Sequence, residues 1–246
     1  MIKIVCVLKD QADSPYNGIY VDKLYNTIDN NLKLPYEFVC LTNSPKQISS
    51  GITIKPLLHG LEGWWSKMEI FRPDLFRDCD GVLYFDLDTL IMDDINELAE
   101  LAADDFHSFM TLRGFNKARK RKGDPVASGI MIMNSFSSEA NKVYNHFMKD
   151  PKGNIARQKA QIPGEPRKGA GERGDQGFIA KVLGEKNVPK LQDYLPDKYI
   201  MGKRHVRNHK ELPQEPHVVA WSGKPRLHNA KEIGRASCRE RVYTKV

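Results

Sequence analysis

The sequence predicts an α/β domain with a mostly parallel central sheet flanked by helices. Three observations carry this. Apolar runs of strand length alternate with runs of helical periodicity along the chain. Val82 to Phe85 (VLYF) is apolar throughout, as a central strand buried on both faces requires. The 246 residues suffice for one large α/β domain with a sizeable core.

The elements follow in order. Ile2 to Leu8 is a β-branched strand run. Val21, Leu24, Ile28 and Leu32 recur at spacings of 3, 4 and 4, one face of a helix. Phe38 to Thr42 is strand-like and is closed by Asn43-Ser44-Pro45. Ile52 to Leu58 is a further apolar run, and Trp65, Met68 and Phe71 mark a short helix ended near Pro73. After the Val82–Phe85 strand, Ile95, Leu98, Ala99 and Ala102 form an amphipathic helix with Asp93 or Asp94 as N-cap. Phe109 to Leu112 and Ile130 to Met133 are strands. Ala140 to Met148 and Phe178 to Leu183 are helices, the second with Gly184 in the stop position. Val218 to Trp221 is a last strand. Residues 149–173, rich in Gly, Pro, Lys and Arg, are expected as a long mobile loop.

Composition narrows the function classes. The chain is 40% hydrophobic and 28% charged, which excludes wholesale disorder. The formal net charge of +7 invites a nucleic-acid reading. The location of the charge weakens it. Arg235, Arg239, Arg241 and Lys245 against Glu240 lie in 234–246 (GRASCRERVYTKV), which reads as a non-native tail and leaves +4 for the 1–233 domain. Lys117 to Lys122 (KARKRK) is a second basic run, but no aromatic residues are interleaved for base stacking. No specific nucleic-acid partner is expected. Cys6, Cys40, Cys79 and Cys238 form no CxxC pair or metal-finger spacing, and Cys6 and Cys40 read as core thiols. No apolar stretch approaches 18 residues, and MIKIVCVL is too short for a signal segment, so a cytoplasmic protein with no membrane span is expected.

The strongest chemical signal is VLYFDLDTLI, residues 82–91. In an open α/β sheet, ligands sit outside the carboxyl ends of the strands. Asp86 and Asp88, two residues apart at such an end, can both reach one divalent ion. Hard oxygen donors suit Mn²⁺ or Mg²⁺ and leave positions for diphosphate oxygens. On the same rule Val7, Lys9 and Asp10 after the first strand, and Thr42 and Asn43 after the second, are placed to meet a nucleoside. Trp64 and Trp65 are expected to divide between an acceptor cleft and the core.

Asp86-Leu87-Asp88 resembles the DXD motif of GT-A fold glycosyltransferases, and the chain is similar to their family 8, glycogenin-like group. Further pieces occur in family order over about residues 2–228. They are Trp65-Ser66-Lys67-Met68, Ala127-Ser128-Gly129-Ile130-Met131, Gly174-Asp175-Gln176-Gly177 and Gly223-Lys224-Pro225. The resemblance implies a GT-A-like single domain and a metal-dependent, retaining transfer of a sugar from a UDP-sugar to an unknown acceptor. It implies that Asp175 and Gln176 lie near the sugar, and that Lys67, Ser128, Gly129, Gly223 and Lys224 contact the donor. Two departures stand out. The family's Asn before Ser-Gly is Ala127, and its metal-binding His is Ala220, with His217 and His228 nearby as substitutes. Of these His228 is taken with Asp86 and Asp88 as the metal set. Asp175 also reads as an N-cap of the helix that follows it, and Tyr199 and His205 as further donor-facing residues.

Two alternatives come from the same residues. FDLDTL resembles the nucleophile motif of haloacid-dehalogenase phosphatases, although Leu90 stands where that motif wants Thr or Val and the motif usually lies on the first strand. Ala127 and Ala220 also admit a catalytically inactive nucleotide-sugar-binding protein.

Overall fold

The computed structural model describes residues 1–12, 14–115, 125–160, 173–203 and 216–221. Strands β1 (Ile2–Leu8), β2 (Tyr36–Thr42), β3 (Thr53–Pro56), β4 (Gly81–Phe85), β6 (Phe109–Arg113) and β7 (Val126–Asn134) form one sheet in the order β3-β2-β1-β4-β7-β6. β3, β2, β1 and β4 pair in parallel, while β7 runs antiparallel to both neighbours. β5 (Thr89–Ile91), β8 (Ile200–Gly202) and β9 (Val218–Ala220) make a small second sheet in the order β5-β9-β8.

Alternation along the strands builds two cores. On β4, Leu83 and Phe85 face one layer with Ile4, Cys6, Ile130 and Ile132. Helices α1 (Gly18–Asn31) and α2 (Asn96–Ala103) cover it with Val21, Leu24, Ile28, Leu98 and Ala102. Val82 and Tyr84 face the other layer, covered by a 3-10 segment, Gly63–Phe71, and by α3 (Ser138–Met148) and α5 (Asp175–Leu183). Gly81 marks where α2 meets the sheet most closely. A Cβ there would lie 1.8 Å from the Ala102 carbonyl oxygen. Cys6 and Cys40 are partners in the β1–β2 register and are buried free thiols. Burial pushes the Cys6 thiol well up, as expected of core cysteines.

Several expectations need correcting. The loop expected over 149–173 opens with helix α4, Pro151–Lys159. Asp150 caps it by accepting the Gly153 N–H at 3.0 Å, and Pro151 supplies the first helical position. Its buried face is polar, Asn154 and Gln158, so apolar periodicity could not reveal it. The N-cap of α2 is Ile95, although Asp94 does accept the Asn96 N–H at 2.7 Å. The Trp65–Phe71 helix is a 3-10 run rather than α. β5 and β8, three residues each, were not foreseen. The KARKRK run, His205 and the 234–246 tail lie outside the described residues. No helix among the described residues is long and apolar enough to cross a membrane.

Candidate active site

The chain leaves β1 outward to β2 and β3, then returns to place β4 on the other side of β1. This reversal opens a crevice at the carboxyl ends of β1 and β4, where ligands bind in open α/β sheets. Val7, half-buried, is the penultimate residue of β1, and Lys9 and Asp10 follow the strand. Thr42 is buried at the end of β2, and its Oγ1 accepts the Ser44 N–H at 2.9 Å. Asn43 ties the two strand ends together. Its Oδ1 accepts the Asp10 N–H at 2.8 Å, and its amide donates to the Asp10 carbonyl at 3.0 Å. The expected nucleoside residues therefore form one rim.

Asp86-Leu87-Asp88 is the turn from β4 into β5. The Asp86 N–H donates to the Gly129 carbonyl at 2.8 Å, its carbonyl accepts from the Thr89 N–H at 3.0 Å, and the Trp221 N–H donates to the Asp88 carbonyl at 3.1 Å. These bonds fix both carboxylates, and Leu87 is buried between them. Tyr16 hydroxyl donates to Asp88 Oδ2 at 3.1 Å.

Lys67 organises the centre. The 3-10 segment lays its ammonium across β4, 2.8 Å from Asp86 Oδ1 and 2.9 Å from Asp175 Oδ2. It also donates to the Ser128 carbonyl and hydroxyl oxygens, both at 3.3 Å. Ser128 in turn donates to Asp175 Oδ2 at 2.5 Å, and the Tyr84 hydroxyl donates to Asp86 Oδ1 at 2.6 Å. Burial alone would draw the Lys67 ammonium down, but the Asp175 and Asp86 carboxylates outweigh it and raise its pKa above the ordinary lysine range. Burial pushes the Asp86 carboxyl above the usual carboxylate range; Asp175 adds to the rise, while Lys67 and Tyr84 oppose it. Burial and the Asp86 charge push the Tyr84 phenol well up, so it stays a donor.

Asp175 is the first residue of α5, behind the N-cap Gly174. Its carboxylate is committed to Lys67 and Ser128, so the expectation of an N-cap side chain is corrected. Gln176 follows on α5, half-buried. Gly129 lies beside Asp86, where a Cβ would sit 3.4 Å from Oδ2. Its lack of a side chain keeps that carboxylate oxygen uncovered, while Lys67 and Tyr84 both engage Oδ1.

Two expected roles are withdrawn. His217 lies at the end of the β5–β9 pair away from Asp88, its ring stacked flat on Tyr199 at 4.2 Å and its Nδ1 2.5 Å from the Asp94 carbonyl. Tyr199 is buried and donates to that same carbonyl at 3.0 Å, so neither ring faces the crevice. Gly223, Lys224 and His228 lie outside the described residues. Among the described residues no group of three His, Cys, Asp or Glu side chains could hold a metal. The donor set fits a hard divalent ion in type, with Asp86 and Asp88 as its protein share. Trp64 is 51% exposed and Trp65 is buried, stacked on Phe147 at 5.6 Å, so Trp65 is the core member of the pair. Tyr84 and Tyr16 were missed. Tyr84 could have been noticed as the one polar handle in VLYF, two residues before Asp86; nothing in the sequence singles out Tyr16.

No protein-family model and no curated protein matches the chain. Solved structures do. The chain is similar to the apo glycosyltransferase GlyE of Streptococcus pneumoniae TIGR4, at TM-score 0.59 and 16% identity, over 98% of this chain and 60% of that one. It is similar to galactosyltransferase LgtC, solved with donor and acceptor sugar analogs, at 0.60 and 13%, over 96% and 93%. It is also similar to the bifunctional glycosyltransferase WbbM, at 0.56 and 13%, over 92% and 46%. The chain thus spans about three fifths of GlyE and under half of WbbM. Its fold is the GT-A-like glycosyltransferase fold, which agrees with the resemblance drawn from the ordered motifs.

Proposed function

We propose that the chain transfers a sugar from a nucleoside diphosphate sugar, with UDP as the nucleotide, to an acceptor, using Mn²⁺ or Mg²⁺ held by Asp86 and Asp88. The observation that carries this is the junction of Asp86, at the end of β4, with Asp175, at the start of α5, through the Lys67 ammonium. Asp86, Asp88 and Asp175 against Lys67 carry a formal charge of −2 when ionised. A bare diphosphate is repelled by such a site, whereas one accompanied by a divalent cation is not. When bound, the metal supplies a Lewis acid beside the leaving diphosphate.

The chain's own residues do the rest. Asp10 and Asn43 hold the rim against which the nucleoside lies. Lys67 bridges Asp86 and Asp175 by direct contact with both. Positive charge develops at the anomeric carbon as the diphosphate leaves, in an oxocarbenium-like state. Asp175, held in place by Lys67 and Ser128, stabilises that charge from a preorganised position. Gln176 orients the sugar hydroxyls, and retention of configuration is the outcome the resemblance implies. Gly223, Lys224 and His228 belong to this proposal on the resemblance alone.

The phosphatase alternative loses its footing, because Asp86 follows β4 rather than the first strand and sits in a GT-A-like fold. The inactive binding protein keeps one observation in its favour: Ala220 is buried in β9 and offers no ligand. A nucleotide-release assay over a panel of nucleoside diphosphate sugars with Mn²⁺ separates the two. Release that Asp86→Ala with Asp88→Ala abolishes supports transfer. Donor binding without release supports the inactive form, and release indifferent to both substitutions and to chelator would falsify the proposal.

A further inference from the structure

A second site lies at the other end of the sheet. A cavity of about 470 Å³ opens where β6 begins and α3 and α5 meet, lined in part by Phe106, His107, Ser138, Glu139, Lys142 and Asn187. Phe109, also in its wall, pairs with Met133, next to the Gly81–Asn134 pair at the start of β4. It is therefore separated from Asp86 by the length of β4, about 17 Å at the strand rise. No residue of the candidate active site lines it.

Its chemistry is mixed. Phe106 is 79% exposed and its ring meets His107 edge-on at 4.5 Å, while His107 meets Tyr194 at 4.4 Å on its other side. Phe106 and His107 thus give the cavity an aromatic side, with Tyr194 behind His107 and outside the lining. The His107 Nε2 is buried and has no hydrogen-bond partner. Opposite charges sit three residues apart on α3, Glu139 and Lys142. Burial works against ionisation of Glu139, but the Ser108 hydroxyl, its own backbone N–H and Ser138 outweigh it and hold the carboxyl below its usual range.

Glu139 offers a hydrogen-bond acceptor, Lys142 a donor, and the two charges cancel, so the cavity favours no net charge in its ligand. A wholly apolar ligand strips water from both without replacing it. A neutral molecule with one apolar face and several hydroxyls satisfies all of them, with its face on Phe106 and its hydroxyls on the carboxylate, ammonium and amide. We infer that the Phe106–Glu139–Lys142–Asn187 cavity is a saccharide-binding site, sized for one or two pyranose rings. Its ligand binds as a glycan unit far from the Asp86 centre. The inference does not rest on sugar transfer, because binding is read directly.

The test is protein-observed amide NMR of the full chain with the methyl glycosides of glucose, galactose and N-acetylglucosamine. At least one of them is expected to shift the amides of 106–109, 138–142 and 187–188, with a Kd in the range of about 1–10 mM. Phe106→Ala and Glu139→Gln each weaken that binding by about fivefold or more. Phe136→Ala, an equally exposed ring outside the cavity lining, leaves it unchanged. Phe106 is exposed, so its loss does not threaten folding. Shifts confined to residues near Asp86 and Asp175 would overturn the inference. So would no shifts at about 50 mM sugar, or binding of indole or benzoate at the cavity in place of the sugars.

Discussion

At the scale of single residues, Asp86 and Lys67 carry charges that folding treats in opposite ways. Asp86 has a folded pKa raised above the ordinary value. Its charged form is thus a cost to folding that is full above that pKa, fades as pH falls from there toward about 3.9, and is gone below it. Asp86→Asn is therefore expected to raise the melting temperature by about 2–4 °C at neutral pH while abolishing the proposed nucleotide release. Calorimetry on the variant and an activity assay check both halves. Lys67 has the opposite sign. Its pKa is raised, so its ion pairs are fully present below about pH 10.4 and are lost only as pH climbs through the higher folded value. Lys67→Met leaves two carboxylates unpaired and should lower stability by about 3–5 kcal/mol in denaturant unfolding. Adding Asp175→Asn should recover part of that loss, which a double-mutant cycle measures. Asp86 and Asp88 were legible in the sequence because they lie two residues apart at the end of an apolar strand run. The convergence of Lys67, Ser128 and Asp175 rests on chain crossings, and only the ordered resemblance brought those three together beforehand.

Among the elements, the 3-10 segment that carries Lys67 depends on a buried ion pair that the sequence disguises. Glu69 is fully buried, and its carboxylate accepts the N–H groups of Leu58 at 2.6 Å and His59 at 3.1 Å, with Arg72 at 3.1 Å. Arg72 reaches on to the Pro56 carbonyl at 2.8 Å. Charged residues are read as surface by default, so nothing in the sequence announced this staple. Glu69→Ala is expected to cost about 3 kcal/mol in urea unfolding, because it removes the acceptor of the Leu58 and His59 N–H groups and one of the two carboxylates that hold Arg72, the other being Asp74. Gly81→Ala should be at least as severe as overpacking usually is, about 1–3 kcal/mol, since the obstacle is the backbone of α2. The long apolar strands and the periodic faces of α1 and α3 were readable from pattern alone. Helix α4 was not, although the Asp150-Pro151 start was available as a signal.

For the whole molecule, the reversal of direction at β1 gathers residues distant in sequence at one end of the sheet, and net charge misreads the result. The chain is basic overall at +7, yet its centre of Asp86, Asp88, Asp175 and Lys67 is anionic. Thermal shift measures the difference. UDP with Mn²⁺ is expected to stabilise the protein, by about 2.7 kcal/mol at a hundredfold excess over Kd, and UDP with chelator far less. Equal shifts with and without the metal would count against the site as drawn.

The Lys67 ammonium has one more consequence. The resting site already holds a cation, tethered to the chain and touching both Asp86 and Asp175. The proposed metal would meet Asp86 at Oδ2, the oxygen that Lys67 leaves open, and so would add to this cation rather than replace it. Part of the carboxylate charge is already answered by the ammonium, so a monovalent ion would find little attraction left there and a divalent ion twice as much.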